Sequence, residues 1–499
     1  MHLKTLLLAL AATTLALPQR NQPTMQTNTT DRLVFCHFMI GITSNRKSPS
    51  DYDADMQAAK DLGIDAFALN IGTDPYTDTQ LSYAYESAVN NNMSVFLSFD
   101  FNWYKLDQAA AVGQKIAQYA SHPAQLTVDG GKVFVSSFAG DGIDVTQIKS
   151  AAGAESEIEI FWAPNYHPGM GDFGDVDGAL NWMGWDHDGN NKAPKGGNGN
   201  NITVAEGDQE YLDALQGKPY LAPASGWFFT HFGGEVPYSK NWVFPGDLLW
   251  YNRWHEILQL GPRFVEIVTW NDYGESHYIG PLSSPHTDDG ASKWVMDMPH
   301  TGWLEMSRPF IAAYKAGDSS PDAHITTEKL IYWYRPTPRD INCDETDTTT
   351  TDGNGSPDNS TGNFFRGRPD GWETLRDEVF VVSLLNAAGT VEVVSGGNER
   401  KFEAPAGASA FAVEMGVGKQ RFALVRDGEM VMGETSLKDV VEECVCGIYN
   451  FNAYVGVVPS GEEEVDALDE DGLAMLTQGL KVPCPTNTLG SGTANATGD

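Results

Sequence analysis

The run Leu33-Val34-Phe35-Cys36-His37-Phe38 is the first of eight short apolar segments that recur between residues 33 and 269. Short runs rich in β-branched and aromatic residues are typical of buried strands. Segments with apolar residues at helical spacing, such as 52–62 and 107–119, lie between the early runs. The other seven runs cover residues 66–70, 94–99, 133–137, 158–162, 180–184, 220–224 and 264–269.

Repeated units of a strand followed by a helix predict a parallel sheet that is covered on both faces. Eight such units in this length predict an α/β fold, a (β/α)8 TIM barrel over residues 33–318. The competing architecture is a doubly wound open sheet. It is disfavoured because no glycine-rich phosphate loop follows any of the runs.

After Gly317 the sequence changes to strand-like runs separated by Gly or Asn turns, and no long helix is expected. This pattern predicts an all-β sandwich domain over residues 325–484. Residues 344–363 are rich in Thr, Asp, Asn, Ser and Gly and predict a flexible insert, and the tail 485–499 is expected to be disordered. The runs cover 330–334, 379–384, 391–394, 410–413, 421–425 and 453–458.

The N-terminus has the pattern of a secretory signal. Lys4 precedes an apolar run and small residues that end at Ala16, so residues 1–16 predict a signal peptide and 17–32 a propeptide or flexible segment. Five glycosylation sequons suit the same route, and we expect a secreted protein, extracellular or in the cell wall. The sequon asparagines are Asn28, Asn92, Asn201, Asn359 and Asn495.

Composition restricts the partners. The formal net charge is −35, with 67 Asp and Glu against 32 Lys and Arg. A polyanion requires a basic surface, so nucleic acid is not an expected partner, and neither is an anionic membrane. We expect a monomer.

The five cysteines are expected to fall into two groups. Cys36 lies in an apolar run and is predicted to be a buried free thiol. Four cysteines in the last third predict two disulfides, with three possible pairings. A bridge between Cys444 and Cys446 would be strained, and a zinc site there lacks further ligands at normal spacing. The four are Cys343, Cys444, Cys446 and Cys484.

Polar and aromatic side chains gather where the predicted strands end. In a barrel these ends and the following loops carry function. Hydroxyl-bonding and ring-stacking side chains together suit a sugar-binding cleft. The residues expected to bind substrate are His37, Asn70, Trp103, Asn165, Trp185, Trp227, Trp270, Asn271, Tyr273 and His277.

Two acids follow the eighth run on one loop. Glycoside hydrolysis requires two carboxyl groups, and Asp272 and Glu275 supply such a pair, with Asp100 expected across the barrel. The alternatives are that Asp272 caps a turn, that Glu275 is a solvated loop acid and that Asp100 caps a helix. The position of the pair in an aromatic-rich segment favours catalysis.

A metal or other cofactor is not expected. His37 is a lone histidine at a strand end, and later histidines show no paired ligand spacing. Binding of structural calcium in the acidic loops remains an alternative, because these loops are rich in oxygen ligands. No Gly-x-Ser-x-Gly motif occurs, so a serine esterase is not supported.

Four segments together resemble glycoside hydrolase family 71, the fungal α-1,3-glucanases or mutanases. They are residues 34–41, 63–70, 98–100 and the most specific, Thr269-Trp270-Asn271-Asp272-Tyr273-Gly274-Glu275-Ser276. The resemblance implies a (β/α)8 barrel with a β-sandwich, endo-type action on α-1,3-glucan and inversion at the anomeric carbon. It carries the essential acids onto Asp272 and Glu275 and a third acidic position onto Asp100.

We expect Asp272 to be the base that activates water and Glu275 to be the acid. Two alternatives are a non-catalytic carbohydrate-binding protein on the same scaffold and a hydrolase of another glucan linkage. Release of reducing sugar from α-1,3-glucan would separate them.

Overall fold

The computed structural model describes residues 31–154, 157–187, 202–232, 240–347 and 367–461, with single positions 189, 480 and 482. The predicted signal peptide, nearly all of 17–32, most of the insert 344–363 and the tail 485–499 lie outside the described residues. Among the described helices, none has the length and apolarity to cross a bilayer.

The first part of the chain alternates strands and helices, as predicted. The strands are β1 (Leu33–Met39), β2 (Ala66–Ile71), β3 (Ser94–Asp100), β4 (Thr127–Val128), β5 (Lys132–Phe138), β6 (Ile160–Pro164), β7 (Ala179–Leu180), β8 (Tyr220–Ala224), β9 (Phe228–Phe232), β10 (Lys240–Phe244), β11 (Phe264–Ile267), β12 (Asn271–Asp272) and β13 (His277–Tyr278). The helices are α1 (Asp53–Leu62), α2 (Thr77–Asn91), α3 (Ala109–Tyr119), α4 (Val145–Ala152), α5 (Val204–Leu215), α6 (Leu249–Leu260), α7 (Ser292–Val295) and α8 (Gly302–Ala316).

Eight parallel strands form one curled sheet in the order β6-β5-β3-β2-β1-β11-β8-β7, with β4 antiparallel on β5. The predicted mixed α/β class is confirmed. The strands β6 and β7 are the two ends of the sheet, and no hydrogen-bonded ladder joins them in the described part.

The sixth predicted strand is much shorter than expected. Residues 180–184 were predicted as a strand, but β7 ends at Leu180. The Asn181 Oδ1 atom accepts a hydrogen bond from Met183 N at 3.1 Å. This local turn stops the strand, because a side-chain acceptor replaces the ladder partner.

Glycines that follow helices allow the chain to return to the sheet. Gly63 ends α1 with φ +100°, and Gly317 ends α8 with φ +82°. A left-handed residue there satisfies the last carbonyls of the helix, and glycine adopts it without steric cost. The glycine at 317 therefore marks the end of the alternating region.

The interior of the curled sheet has an aromatic layer and a polar layer above it. In the first layer, neighbouring rings have centroids 4.8 to 6.0 Å apart. Side chains alternate along a strand, so positions two residues further on face the same interior. The aromatic layer is Phe35, Phe96, Phe134, Phe161 and Phe264, and the polar layer includes His37, Ser98, Ser136 and Glu266, all fully buried.

The second part forms two four-stranded antiparallel sheets, β18-β15-β14-β21 and β17-β16-β19-β20. They share one apolar cluster, in which the rings of Tyr332 and Phe422 stack with centroids 3.8 Å apart. The strands are β14 (Lys329–Tyr334), β15 (Glu378–Leu385), β16 (Gly389–Ser395), β17 (Asn398–Ala404), β18 (Gly407–Glu414), β19 (Gln420–Arg426), β20 (Glu429–Thr435) and β21 (Tyr454–Val458).

One predicted feature of the cysteines is observed directly. Cys343 and Cys444 form a disulfide, and Cys36 is buried and free. Cys446 is also disulfide-bonded, whereas Cys484 lies outside the described residues, so the second pairing stays a prediction. Among the sequon asparagines, Asn92 is exposed at the end of α2, and the other four lie outside the described residues.

Candidate active site

The segment after β11 turns back on itself and brings two acids onto one tight turn. The strands β12 and β13 pair antiparallel, with the 3-10 turn Tyr273–Glu275 between them. Asp272 caps this turn, since its Oδ1 accepts a hydrogen bond from Glu275 N at 3.3 Å. Asp272 N donates to Thr269 Oγ1 at 2.8 Å. Capping therefore holds the two carboxyl groups on the same short loop, and both keep partial access to solvent.

A lysine from another element contacts this loop. Lys240 Nζ donates to Glu275 Oε1 at 2.5 Å. Lys240 begins β10, which pairs antiparallel with β9 as a hairpin. The hairpin makes a second contact, from Thr230 Oγ1 to Gly274 O at 3.0 Å. The hairpin β9–β10 thus packs directly against the loop that carries the acids.

Gly274 is required by this close packing. A Cβ atom at that position would lie 2.8 Å from the Phe232 ring and 2.9 Å from Asp289 Oδ2. Real Cβ atoms do not approach other heavy atoms so closely, so a side chain would push the hairpin and Asp289 away. The glycine therefore lets a third carboxyl group approach the loop that carries the two candidate acids.

Burial, together with neighbouring carboxyl groups, raises the pKa values of two acids at this site. Burial, followed by repulsion from Glu275, raises the pKa of Asp272 well above its usual range, while Lys240 opposes the rise. Burial and the neighbouring Asp288 raise the pKa of Asp289 to about 7. Several carboxyl groups share one lysine, and the site retains a proton at mildly acidic pH.

Asp100 lies at the end of β3 and belongs to the same electrostatic environment. Its Oδ1 accepts a hydrogen bond from Asn102 N at 2.8 Å. Burial raises the pKa of Asp100, while the bond from Asn102 and the charges of His37 and Lys240 lower it. Attraction to Lys240 reaches both Asp100 and Asp272, so the structure brings the three predicted acids around one cation.

His37 is held below Asp100 in the polar layer. Its Nδ1 atom lies 2.7 Å from Glu266 Oε1, and both side chains are fully buried. Trp182 packs edge-on against the His37 ring at 4.8 Å. The Nε2 atom of His37 has no hydrogen-bond partner in the described structure. Glu266 fixes the orientation of the imidazole ring, so His37 Nε2 is available for a hydrogen bond to another group.

His277 is buried beside this pair. Its Nε2 atom lies 2.7 Å from Ser225 Oγ. Burial lowers the pKa of His277 to about 3, and repulsion from His37 and His300 adds to the effect. His277 is therefore neutral and acts through hydrogen bonding and packing.

One predicted sugar-binding residue is strongly exposed. The Trp103 side chain follows β3 with 60% exposure. Its ring lies over Gly72, where an added Cβ would be 3.2 Å from the indole. An exposed indole beside a glycine offers an aromatic surface on which a sugar ring can stack.

Most of the other predicted substrate-binding residues are buried and already bonded within the protein. Their burial gives them structural roles in the substrate-free protein, and their contact with substrate stays a prediction. Trp270 donates to Asp55, Trp227 to Phe451 O, Tyr273 to Pro281 O, Asn165 to Leu180 O and Asn271 to Met39 O, while Trp185 packs against Phe228 and Phe244. Asn70 is buried at the end of β2, and its side chain makes no hydrogen bond within the described part.

The sequence pattern does not mark Lys240, Glu266 or Asp289 as site residues. A signal existed for Glu266, because an acid inside the apolar run 264–267 is costly to bury without a partner. No comparable signal marked Lys240, whose contact with Glu275 spans 35 residues. Asp289 is one acid among 67.

A metal centre is not evident in the described residues, where no group of three or more His, Cys, Asp and Glu side chains could hold an ion. Independence from metal stays a prediction.

Residues 30–468 match the model of glycosyl hydrolase family 71. A Penicillium rubens protein named mutanase Pc12g07500 is 39% identical over 469 residues, which is 92% of this chain and 97% of the relative. A Schizosaccharomyces pombe protein named glucan endo-1,3-alpha-glucosidase agn1 is 33% identical over 443 residues, covering 86% and 95%. A solved GH99 endo-α-mannosidase from Bacteroides thetaiotaomicron aligns with 58% of this chain and 99% of its own, at TM-score 0.41 and 11% identity, too weak to inform function.

Proposed function

The chain belongs to glycosyl hydrolase family 71, and from this membership we propose that it is a glycoside hydrolase that cleaves α-1,3-glucan at internal linkages. The names of the two relatives, a mutanase and a glucan endo-1,3-alpha-glucosidase, support that substrate. The observation that carries the proposal is the pair Asp272 and Glu275 on one capped turn.

The reaction uses the two carboxyl groups in different protonation states. One protonates the glycosidic oxygen of the leaving sugar, and the other removes a proton from the attacking water. The water attacks the anomeric carbon from the face opposite to the leaving sugar, so the anomeric configuration inverts. Asp100 is the third acid, and its place at the end of β3, within the influence of the same lysine, suits a contact with the sugar that occupies the scissile position.

We assign the base to Asp272 and the acid to Glu275. In the substrate-free protein Lys240 donates a hydrogen bond to Glu275, and the pKa of Asp272 is raised. The assignment therefore requires the leaving oxygen to take the place of Lys240 on Glu275. Azide should then rescue Asp272→Ala, and a substrate with a good leaving group should rescue Glu275→Gln. The reverse pattern would exchange the two roles.

We extend the proposal to the fold, the location and the partners of the protein. The curled sheet closes into a (β/α)8 barrel, and the two antiparallel sheets form a sandwich beside it over residues 325–484. The protein is secreted as a monomer, needs no cofactor and has neither nucleic acid nor membrane as a partner. The acidic composition supports this set of partners.

Proton NMR of the first sugar formed from α-1,3-glucan tests the reaction and its stereochemistry together. We expect the β-anomer first, because inversion converts an α-linkage into a β-hemiacetal. An initial α-anomer would show retention and contradict the inverting mechanism. Release of long oligosaccharides before glucose would support endo-type action.

A further inference from the structure

The hairpin β9–β10 is anchored to the second part of the chain by a buried ion pair. His231 Nε2 lies 2.6 Å from Asp347 Oδ2, and the side chains are 0% and 1% exposed. On its other side, His231 Nδ1 lies 2.6 Å from Asn241 Oδ1. Asn241 directly follows Lys240, the lysine that binds Glu275. The anchor thus lies one residue from the contact with the candidate acid.

Hydrogen bonds on both sides fix the orientation of this histidine ring. Asn241 Nδ2 donates to Gly367 O at 2.9 Å, so the amide oxygen must face His231. An amide oxygen only accepts hydrogen bonds, so His231 Nδ1 donates to Asn241 and Nε2 faces the carboxyl group of Asp347. Asp347 Oδ2 also accepts from Tyr449 N at 2.9 Å, which satisfies the carboxylate further. The result is a buried pair of His231 and Asp347 whose polar atoms have partners within the protein.

Asp347 is itself held by a disulfide-bonded segment. Asp347 N donates to Cys343 O at 2.7 Å, and Cys343 is bonded to Cys444. A second attachment lies nearby, where Val243 N donates to Asp370 O and Asp370 N donates to Asn241 O. The second part of the chain therefore holds the hairpin along β10.

The hairpin in turn contacts the candidate catalytic loop at two points, Thr230 to Gly274 O and Lys240 to Glu275. We propose that His231 and Asp347 are positioning residues for hydrolysis: their ion pair fixes the hairpin so that Lys240 stays at the carboxyl groups of the catalytic turn. The inference rests on the proposed function. Neither residue touches the candidate acids, so each acts through Lys240.

The decisive variant is Asp347→Asn, which keeps the shape and removes the charge. We expect kcat on α-1,3-glucan to fall about tenfold or more, with a smaller change in KM, because small displacements of catalytic groups cost large factors in rate. The matched control is Glu328→Gln, which breaks an ion pair with Arg426 in the same part of the chain. Glu328→Gln should keep the wild-type kcat.

A double-mutant cycle distinguishes positioning from a general loss of stability. If Asp347 acts through Lys240, Asp347→Asn causes no further loss of kcat in a Lys240→Met background. An undiminished loss in that background would overturn the proposal, as would a folded Asp347→Asn variant with wild-type kcat. If Asp347→Asn does not fold, His231→Gln breaks the same pair from the hairpin side and should show the same non-additivity with Lys240→Met.

Amide hydrogen exchange tests the anchor without any activity. In Asp347→Asn, exchange should become faster at residues 240–244 and 271–278 and should stay unchanged in the curled sheet around β1. Unchanged exchange at both segments would overturn the inference. A wild-type protein that releases no sugar would contradict the proposed function instead, and the exchange measurement would still decide whether the ion pair holds the hairpin.

Discussion

Lys240 donates a hydrogen bond to Glu275, and this contact joins the hairpin β9–β10 to the turn that carries both candidate catalytic acids. Lys240 also lowers the pKa of Asp272, Asp100 and Asp289. One cation therefore acts on three carboxyl groups whose pKa values burial raises, and it binds the fourth acid, Glu275. The candidate site therefore depends on Lys240, which begins β10 and lies outside the strand ends that carry Asp100 and Asp272.

Neutralising either acid should abolish turnover. We expect Asp272→Asn and Glu275→Gln each to lower kcat about a hundredfold or more, since each removes a general acid or base. The melting temperature should change little. The control is Glu210→Gln, an exposed acid on α5. Near-normal turnover by either purified variant would remove that residue from the catalytic pair.

Replacing Lys240 should move the pH profile. The lysine charge favours ionised carboxylates, so Lys240→Met raises the pKa values of Asp272, Asp100 and Asp289. The base then ionises at a higher pH, and the acidic limb of the kcat/KM profile should shift upward. Lys115→Met, which breaks a pair with Asp78 between the outer helices, should leave the limb in place. An unshifted or lowered limb in Lys240→Met would refute this role.

The exposed indole of Trp103 should contribute to binding rather than chemistry. Aromatic stacking is worth about 0.5–1.5 kcal/mol, so Trp103→Ala should raise KM for α-1,3-glucan by about twofold to tenfold with kcat retained. Leu106→Ala, at a position with 48% exposure, is the matched control. An unchanged KM would mean that sugar does not stack on this ring.

Asp289 should make stability depend on pH in an unusual direction. Its pKa rises from 3.8 to about 7 on folding, so the folded protein binds the extra proton between those values. Asp289 therefore makes its full contribution to the free energy of unfolding below about pH 4, and this contribution is lost as the pH rises to about 7. Asp289→Asn should therefore raise the melting temperature more at pH 7.5 than at pH 4. An equal change at both pH values would argue against a raised pKa.

The core strands were predictable because burial imposes an apolar pattern on them. In the second part of the chain the missed strands, β17 and β20, are the two edges of one sheet, where only one side is paired. Edge strands such as Asn398–Ala404 carry charges that hide their β pattern. The hairpin β9–β10 was missed as well, since aromatic runs after a strand also suit a loop.

The candidate acids were predictable from their position after the last parallel strand. The residues that tune them were not, because Lys240 and Asp289 reach the site only through the tertiary fold. Burial of Trp185, Trp227 and Trp270 was also hidden, since exposed and buried tryptophans look alike in sequence.

Linkage specificity tests the central claim most directly. The purified protein should be incubated with α-1,3-, β-1,3-, α-1,4- and α-1,6-glucans in parallel, and reducing ends should be measured against the Asp272→Asn variant. We predict release of reducing sugar from α-1,3-glucan alone, abolished in the variant. Release from another glucan in preference to α-1,3-glucan, or equal release by Asp272→Asn, would contradict the account.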